Sequence, residues 1–323
     1  MGITIGRTRR TPMLGNVMLL VKTQKVLLLG AGGMLGHRLW IDLRHRTDVT
    51  GTIRPNSPIA SALGLAPNPA KLLELDANDA KATEALLTAV APTQIINAIG
   101  YVKQRTDARS DVVNRTNAEF PLQLAAWCER NNSRLIHMST DCVFSGNCGE
   151  RSETDNPDPV DEYGRSKLAG EPGGDHSLVI RTSMIGRELS RFSGILEWCL
   201  RAPAPLSGWS HARFSGVSTV ELSRVIVDLV DHRTGLHGLF HIAGPAIDKA
   251  SLLREILVGF GRRPEVIDSL LPIIDRTLDS SKFASATGYV PPTWAAMITE
   301  LASDSRYYDS LPVQFERTVS NAT

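Results

Sequence analysis

The stretch KVLLLGAGGMLGHRLWIDL, residues 25–43, constrains the fold of this chain more than any other. Its first six residues form an aliphatic run that ends at a glycine, as a strand buried on both faces does. Leu35, Leu39 and Leu43 then recur at helical spacing. Between strand and helix lie Gly30, Gly33 and Gly36, three apart. A tight turn after a strand calls for positive φ, which glycine tolerates. Backbone that approaches a diphosphate must be bare. The N-terminus of the following helix offers it free N–H groups and a positive dipole end. The better-known G-x-G-x-x-G spacing is not met, because position 35 is leucine. Glycines placed between a first strand and a first helix argue for dinucleotide binding over a purely structural turn.

The rhythm continues down the chain. Residues 48–54, 71–76, 93–100, 133–140 and 176–183 read as strands, and 78–90 and 108–131 as helices, the second bent near Pro121. Short connections between alternating elements imply right-handed β-α-β crossovers and a parallel sheet. After residue 183 the pattern changes. Residues 191–216 are rich in aromatics and proline, with a short helix near 193–201. A strongly periodic helix over 218–232 and a strand over 237–244 return to the first domain. Residues 245–304 read as helices between Pro-marked loops. The expected architecture is α/β, a doubly wound parallel sheet of Rossmann type with a smaller C-terminal substrate-binding region. The sheet domain takes 25–184 and 216–244, and the substrate region 185–215 and 245–304. Residues 305–323 read as a tail. Residues 1–24, basic and then briefly apolar, read as a disordered extension, or as leader to a start at Met13 or Met18, and are kept out of the fold.

Composition narrows the partners. A net charge of +1 without a clustered basic patch argues against nucleic acid and anionic membrane surfaces. No apolar run reaches the roughly 18–20 residues of a membrane span. Cys128, Cys142, Cys148 and Cys199 form no C-x-x-C pair, and the eight histidines are scattered. No metal site is expected, and reduced thiols suit a cytoplasmic protein.

Dinucleotide sites often carry an acid at the end of the second strand for the ribose 2′-hydroxyl. Here Arg54 stands in that place. A guanidinium suits a 2′-phosphate and so favours NADP over NAD; the alternative is a solvated loop arginine. Asp76, after the third strand, has two readings: it lies at the adenine end of the cofactor, or it caps the helix starting near Asp79.

DEYGRSKLAGE, residues 161–171, places Tyr163 and Lys167 four apart, on one helix face. A phenol, with a pKa of about 10, is a poor acid at neutral pH. A nearby ammonium favours the phenolate and lowers that value. The fifth strand ends in MSTDCVF, which brings Ser139 and Thr140 to the carboxyl end of the sheet, where open α/β sheets bind ligands. Thr140 is placed to hold a substrate oxygen against Tyr163.

Glycine loop, strand-five threonine and Tyr-x-x-x-Lys, in this order, resemble the extended short-chain dehydrogenase/reductase superfamily. Within it, STDCVFSG, YGRSKLAGE and VIRTSMIG resemble the dTDP-4-dehydrorhamnose reductase family, from about Lys25 to Gly244. The resemblance implies an NAD(P)H-dependent reductase of the C4 ketone of a nucleotide-activated 4-keto-6-deoxyhexose, serving cell-surface polysaccharide synthesis. It also implies a homodimer. Thr140, Tyr163 and Lys167 match the family's catalytic triad, with Tyr163 as the proton donor. Gly30, Gly33, Met34, Leu35, Asp76, Asn97, Ala98 and Ile99 match its cofactor positions. Asn117 matches a helix asparagine that supports the lysine through water. Ser139, Asp141, Arg181, Thr182 and Ser183 fall along its substrate pocket.

There are departures. Cys142 stands where many relatives carry tyrosine, Pro172 with Gly173 and Gly174 stops the helix after the lysine, and residues 191–216 do not follow the family pattern. A dehydratase on this scaffold calls for an Asp-Glu pair after Thr140, whereas Cys142 follows Asp141. Two further readings stand beside the reductase: an epimerase, and a cofactor-sensing regulatory subunit.

Overall fold

The computed structural model describes residues 24–45, 48–57, 59, 63, 71–102, 109–190 and 192–309. Residues 1–23 of the expected extension and 310–323 of the expected tail lie outside that description.

The first half alternates as the sequence predicts. β1 (Lys25–Leu29) leads to α1 (Met34–Leu43), β2 (Asp48–Ile53), β3 (Lys71–Glu74), α2 (Ala80–Val90) and β4 (Gln94–Asn97). A long helix follows, made of α3 (Ser110–Asn114), a π-helical turn (Arg115–Glu119) and α4 (Phe120–Asn131). Then come β5 (Arg134–Met138), a 3₁₀ turn (Asp141–Val143), α5 (Glu162–Ala169) and β6 (Ser177–Arg181). β7 (Met184–Ile185), α6 (Ile195–Arg201), β8 (Leu206–Trp209), β9 (Ala212–Phe214) and β10 (Val217–Ser218) precede α7 (Thr219–His232) and β11 (Gly238–His241).

Seven strands form one parallel sheet in the order β11-β6-β5-β4-β1-β2-β3. The chain winds outward from β1 through β2 and β3, then crosses back to β4 and winds the other way. The reversal falls between β1 and β4, the switch point whose crevice, at the carboxyl ends of the strands, is where doubly wound sheets take ligands. Period-two alternation sorts β1 between the two faces. Val26 and Leu28 join one core with Leu39, Trp40 and Leu43 of α1 and Ile226 and Leu229 of α7. Leu27 and Leu29 join the other with Leu87 of α2 and Phe120, Leu124 and Trp127 around α4.

The bend expected near Pro121 is a π turn just before it. Proline lacks the N–H that would bond the carbonyl of Asn117, and its ring crowds that oxygen. Widening the preceding turn relieves both. α7 begins as its sequence dictates: Ser218 caps it by accepting from the Glu221 N–H at 3.1 Å, in an S-x-x-E pattern.

Beyond residue 244 the structure departs from the expected run of helices and loops. β12 (Ile247–Asp248) and α8 (Lys249–Gly259) are followed by β13 (Val266–Ser269) and β14 (Ile274–Arg276). β12 and β14 flank β9 in a three-stranded sheet, and β13 pairs with β8. α9 (Ser281–Thr287) and α10 (Trp294–Asp309) complete the described chain. α10 runs five residues into the segment read as tail. Met297, Ile298 and Leu301 join the α1/α7 core, and Tyr308 meets His37 of α1 through a 2.6 Å hydrogen bond.

Candidate functional site

The three loop glycines are there for different reasons. Gly30 has a φ of +87°. Gly36 sits so close to the turn that a Cβ would lie 1.9 Å from the Gly30 carbonyl oxygen. Gly33 has neither constraint: its φ is −79°, and a Cβ would make only van der Waals contact, 3.4 Å from that oxygen. What remains for Gly33 is bare space toward a ligand. Gly33 is also the N-cap of α1, and no side chain caps that end. The first-turn N–H groups of Met34, Leu35 and Gly36 are left to the crevice. Ala98 and Ile99, after β4, form its opposite wall, 3.2 Å from the Cβ position of Gly30.

The remaining expected cofactor residues are placed less uniformly. Arg54 is exposed at the end of β2. Asp76 caps no helix: it accepts from the Asn78 N–H at 2.9 Å, and Asp79 caps α2 through the Ala82 N–H. Asn97 is buried, accepting from the Ile99 N–H and meeting His137 at 3.2 Å, so it shapes the strand end.

Two glycines seat the helix that carries Tyr163 and Lys167. A Cβ on Gly164 would lie 2.2 Å from the Cys142 carbonyl oxygen, and one on Gly170 2.0 Å from that of Asn117. α5 is therefore pressed at its start onto the 3₁₀ turn after Thr140 and at its end onto the π turn. Asp161 caps it through the Gly164 N–H at 2.8 Å. Asn117 ties the same elements together, accepting from the Tyr101 N–H at 2.9 Å and donating to Ser166 Oγ at 3.0 Å.

Thr140 and Tyr163 are neighbours where α5 is pressed onto the 3₁₀ turn. Burial pushes the Tyr163 phenol above its usual pKa, Cys142 adds to the rise, and Thr140 opposes it. The expected lowering by Lys167 is not what this arrangement produces. The Lys167 ammonium is buried and donates to the Met138 carbonyl at 2.6 Å. Burial brings its pKa down to about 8, while the Glu171 carboxylate pulls the other way. Nζ lies 3.8 Å from the Cβ position of Gly100, beside the crevice.

Glu171, which the sequence reading passed over, organises this corner. It accepts from Ser139 Oγ at 2.5 Å and takes Arg181 by two bonds, of 2.8 and 2.7 Å. Arg181 is 3% exposed and stacks over the Phe144 ring. Ser139 and Arg181, both expected along the substrate pocket, are thus tied to Glu171, while Arg181 Nη1 is buried without a hydrogen-bond partner. The helix stop at Pro172 is what turns Glu171 inward. Thr182 is buried and donates to the Ser183 carbonyl, which also accepts from the Val217 N–H, so these residues fix the end of β6. Asp141 is buried beside Thr140, which donates to it at 3.0 Å; burial pushes its carboxyl up. The Cys142 thiol is pushed up to about 12 by burial, which leaves it a poor acid or base near neutrality. Among the described residues, no three His, Cys, Asp or Glu side chains gather as metal ligands, and no helix is long and apolar enough to cross a membrane.

The RmlD substrate binding domain family matches residues 24–306. The chain belongs to that family. Among related proteins, the dTDP-4-keto-6-deoxy-D-glucose reductase of Streptomyces niveus is 29% identical over 68% of this chain and 72% of its own. Solved structures with the same RmlD-type fold include a hypothetical dTDP-4-dehydrorhamnose reductase of Sulfolobus tokodaii, 26% identical, covering 81% of this chain and 94% of its own at a TM-score of 0.69. The Bacillus anthracis dTDP-4-dehydrorhamnose reductase in complex with NADP is 19% identical, covering 87% and 99% at a TM-score of 0.73. The second of these bears on the fold alone.

Proposed function

We propose that this RmlD-family chain is an NAD(P)-dependent oxidoreductase of the dTDP-4-dehydrorhamnose reductase type, reducing the C4 ketone of a nucleotide-activated 4-keto-6-deoxyhexose. The observation that carries the reading is the seating of α5: Gly164 presses it onto the 3₁₀ turn after Thr140, so that Tyr163 stands beside that turn and the Lys167 ammonium lies 3.8 Å from the Cβ position of Gly100. A ketone becomes an alcohol when carbon receives a hydride and oxygen a proton. NADPH, when bound, supplies the hydride. The bare Gly33 and the uncapped N-terminus of α1 suit its diphosphate. Tyr163 supplies the proton. Its raised pKa keeps the phenol protonated at neutral pH, as a donor in the reductive direction requires. Thr140, whose hydroxyl donates to Asp141 in this structure, would turn it to the ketone oxygen beside Tyr163 when substrate binds. Lys167 reaches the crevice where the nicotinamide ribose belongs, and Glu171 favours its charged form. Arg54, exposed at the end of β2, supports NADPH over NADH. A cytoplasmic setting and a homodimer go with this reading.

The test is a panel of 4-keto sugar nucleotides, assayed by loss of NADPH absorbance with NADH in parallel. Turnover should fall at least a hundredfold in Tyr163→Phe, an order expected for a general acid. Undiminished turnover in that variant rejects the mechanism. Arg54→Ala should raise the KM for NADPH and leave that for NADH alone.

A further inference from the structure

Monomer surfaces scatter their exposed apolar side chains singly. Here five of the twelve large ones exposed among the described residues come from two adjoining segments. Trp209, at the end of β8, is half exposed. Ile267 of β13 and Leu270, Leu271 and Ile273, between β13 and β14, are 61–74% exposed. β8 and β13 pair in parallel, with Ile267 opposite Ser207 and Ser269 opposite Trp209. Opposite residues share a face of a sheet, as do residues two apart on a strand. Ile267 and Trp209 therefore lie on the same face. The other face is covered, since a Cβ on Gly208 would lie 2.6 Å from the Cα of Ala250 in α8.

The segment from 269 to 274 is held by hydrogen bonds. The Ser269 carbonyl accepts from the Ser210 N–H at 3.0 Å and from its hydroxyl at 3.2 Å. Ser269 Oγ donates to the Leu271 carbonyl at 3.0 Å, and the Ile274 N–H to the His211 carbonyl at 3.0 Å. Both ends of the apolar run are thus fastened beside Trp209. Aliphatic side chains fixed toward water carry a cost that a covering partner removes.

Size and charge indicate the partner. At these exposures the five residues offer roughly 600 Å² of surface, the upper end of what monomers show. A standard interface takes about 800 Å² from each side, apolar at the centre and polar at the rim. The rim here is two ion pairs, one at each end of the run: Arg254–Asp268 at 2.6 Å and Arg213–Asp275 at 3.1 Å. Each brings one charge of either sign, so two copies of this surface do not repel. A two-fold axis can set the arginine of one copy against the aspartate of the other. A lipid surface calls for a cationic rim instead.

We infer that the face formed by Trp209, Ile267 and the 270–273 run is the surface through which two copies of this chain associate. The inference rests on the proposed function for the homodimer and gives that dimer its contact. The face borders the substrate end of the site: a Cβ on Gly146, in the turn that follows Thr140, would lie 2.6 Å from Ile274 Cγ2.

The test is sedimentation equilibrium of the full chain at micromolar concentration. Wild type should sediment as a dimer. Leu271→Asp together with Ile273→Asp should weaken association at least a hundredfold. Asp268→Arg should weaken it at least tenfold, by setting two arginines face to face, and adding Arg254→Asp should restore most of it. Val290→Asp, exposed outside this face, should leave association within twofold of wild type. NADPH affinity, measured by fluorescence, should stay within twofold in every variant, which shows that each folds. A monomeric wild type overturns the inference, as does a dimer that survives the Leu271/Ile273 double variant. Monomeric wild type that floats with phosphatidylglycerol vesicles, while the double variant does not, gives the face to a membrane and overturns it too. The two readings fail separately. A dimer broken by the double variant, in a chain that reduces no keto sugar, keeps this surface and removes the reductase. A monomer that reduces one does the reverse.

Discussion

Lys167 is where single-residue chemistry is most exposed to test. Burial holds its pKa near 8, against 10.5 in its ordinary state, and Glu171 is the neighbour that opposes the fall. As pH rises through about 8 the folded protein loses this proton, so kcat/KM should decline on an alkaline limb near that value. Glu171→Gln removes the opposing carboxylate and should move the limb to lower pH. It also leaves Arg181 buried without its counter-charge, a loss of about 3–5 kcal/mol. An alkaline limb that stays in place would show that Glu171 serves only Arg181. The loop glycines divide in the same residue-by-residue way. Gly36→Ala forces a Cβ against the Gly30 carbonyl oxygen and should lower stability by about 1–3 kcal/mol. Gly33→Ala meets no such obstacle and should keep the wild-type Tm while weakening NADPH at least tenfold. Equal stability losses in the two variants would remove the case for Gly33 as a ligand-facing position.

At the level of elements, the site depends on how α5 is seated, and the glycines at its two ends should report it. Gly164→Ala presses on the 3₁₀ turn and should cut kcat at least tenfold while changing NADPH affinity little; Gly170→Ala presses on the π turn, nearer Lys167, and should weaken NADPH. Similar effects of both on both constants would mean that α5 shifts as a whole. The sequence announced α5, β1, α1, β5 and α7 because each carries its own period, cap or glycine. It did not announce the work of Glu171, since a Glu at a helix end reads as solvated until the proline turn brings it inward. Nor did it announce β12, β13 and β14. Strands of two to four residues show no alternation of their own and exist through pairing with β8 and β9, 33 to 62 residues earlier.

Across the whole molecule, the last helix closes on the first. α10 and α1 share one core with α7 and the sheet, and the contact is polar at its rim. His37 Nδ1 lies 2.7 Å from the Gly33 carbonyl oxygen and Nε2 2.6 Å from the Tyr308 hydroxyl, while Arg38 bonds Asp304 at 2.6 Å. The far C-terminus of the described chain is thereby tied to the residue that caps the cofactor helix. Nδ1 donates to the carbonyl, so Nε2 accepts from Tyr308 and the ring is neutral. Burial brings the His37 pKa down from 6.5 to about 4. Below pH 6.5 the unfolded chain takes up a proton that the folded one refuses, so stability falls with pH from about 6.5 until the folded ring titrates near 4. The loss reaches about 3 kcal/mol, from 1.36 kcal/mol per unit. Burial lowers His137 and His241 as well, and their loss has the same sign. Asp155, Asp158 and Asp279 carry the loss on to lower pH, since carboxyls held below their usual value of 3.8 stabilise the fold until pH falls past that value. Thermal unfolding followed from pH 7 to pH 5 should show Tm falling by several degrees in wild type and less steeply in His37→Gln. Because His37 also holds Gly33, the same variant and Tyr308→Phe should both weaken NADPH at pH 7. An acid slope in His37→Gln equal to that of wild type would assign the loss to the other groups and leave the His37–Tyr308 contact a packing feature alone.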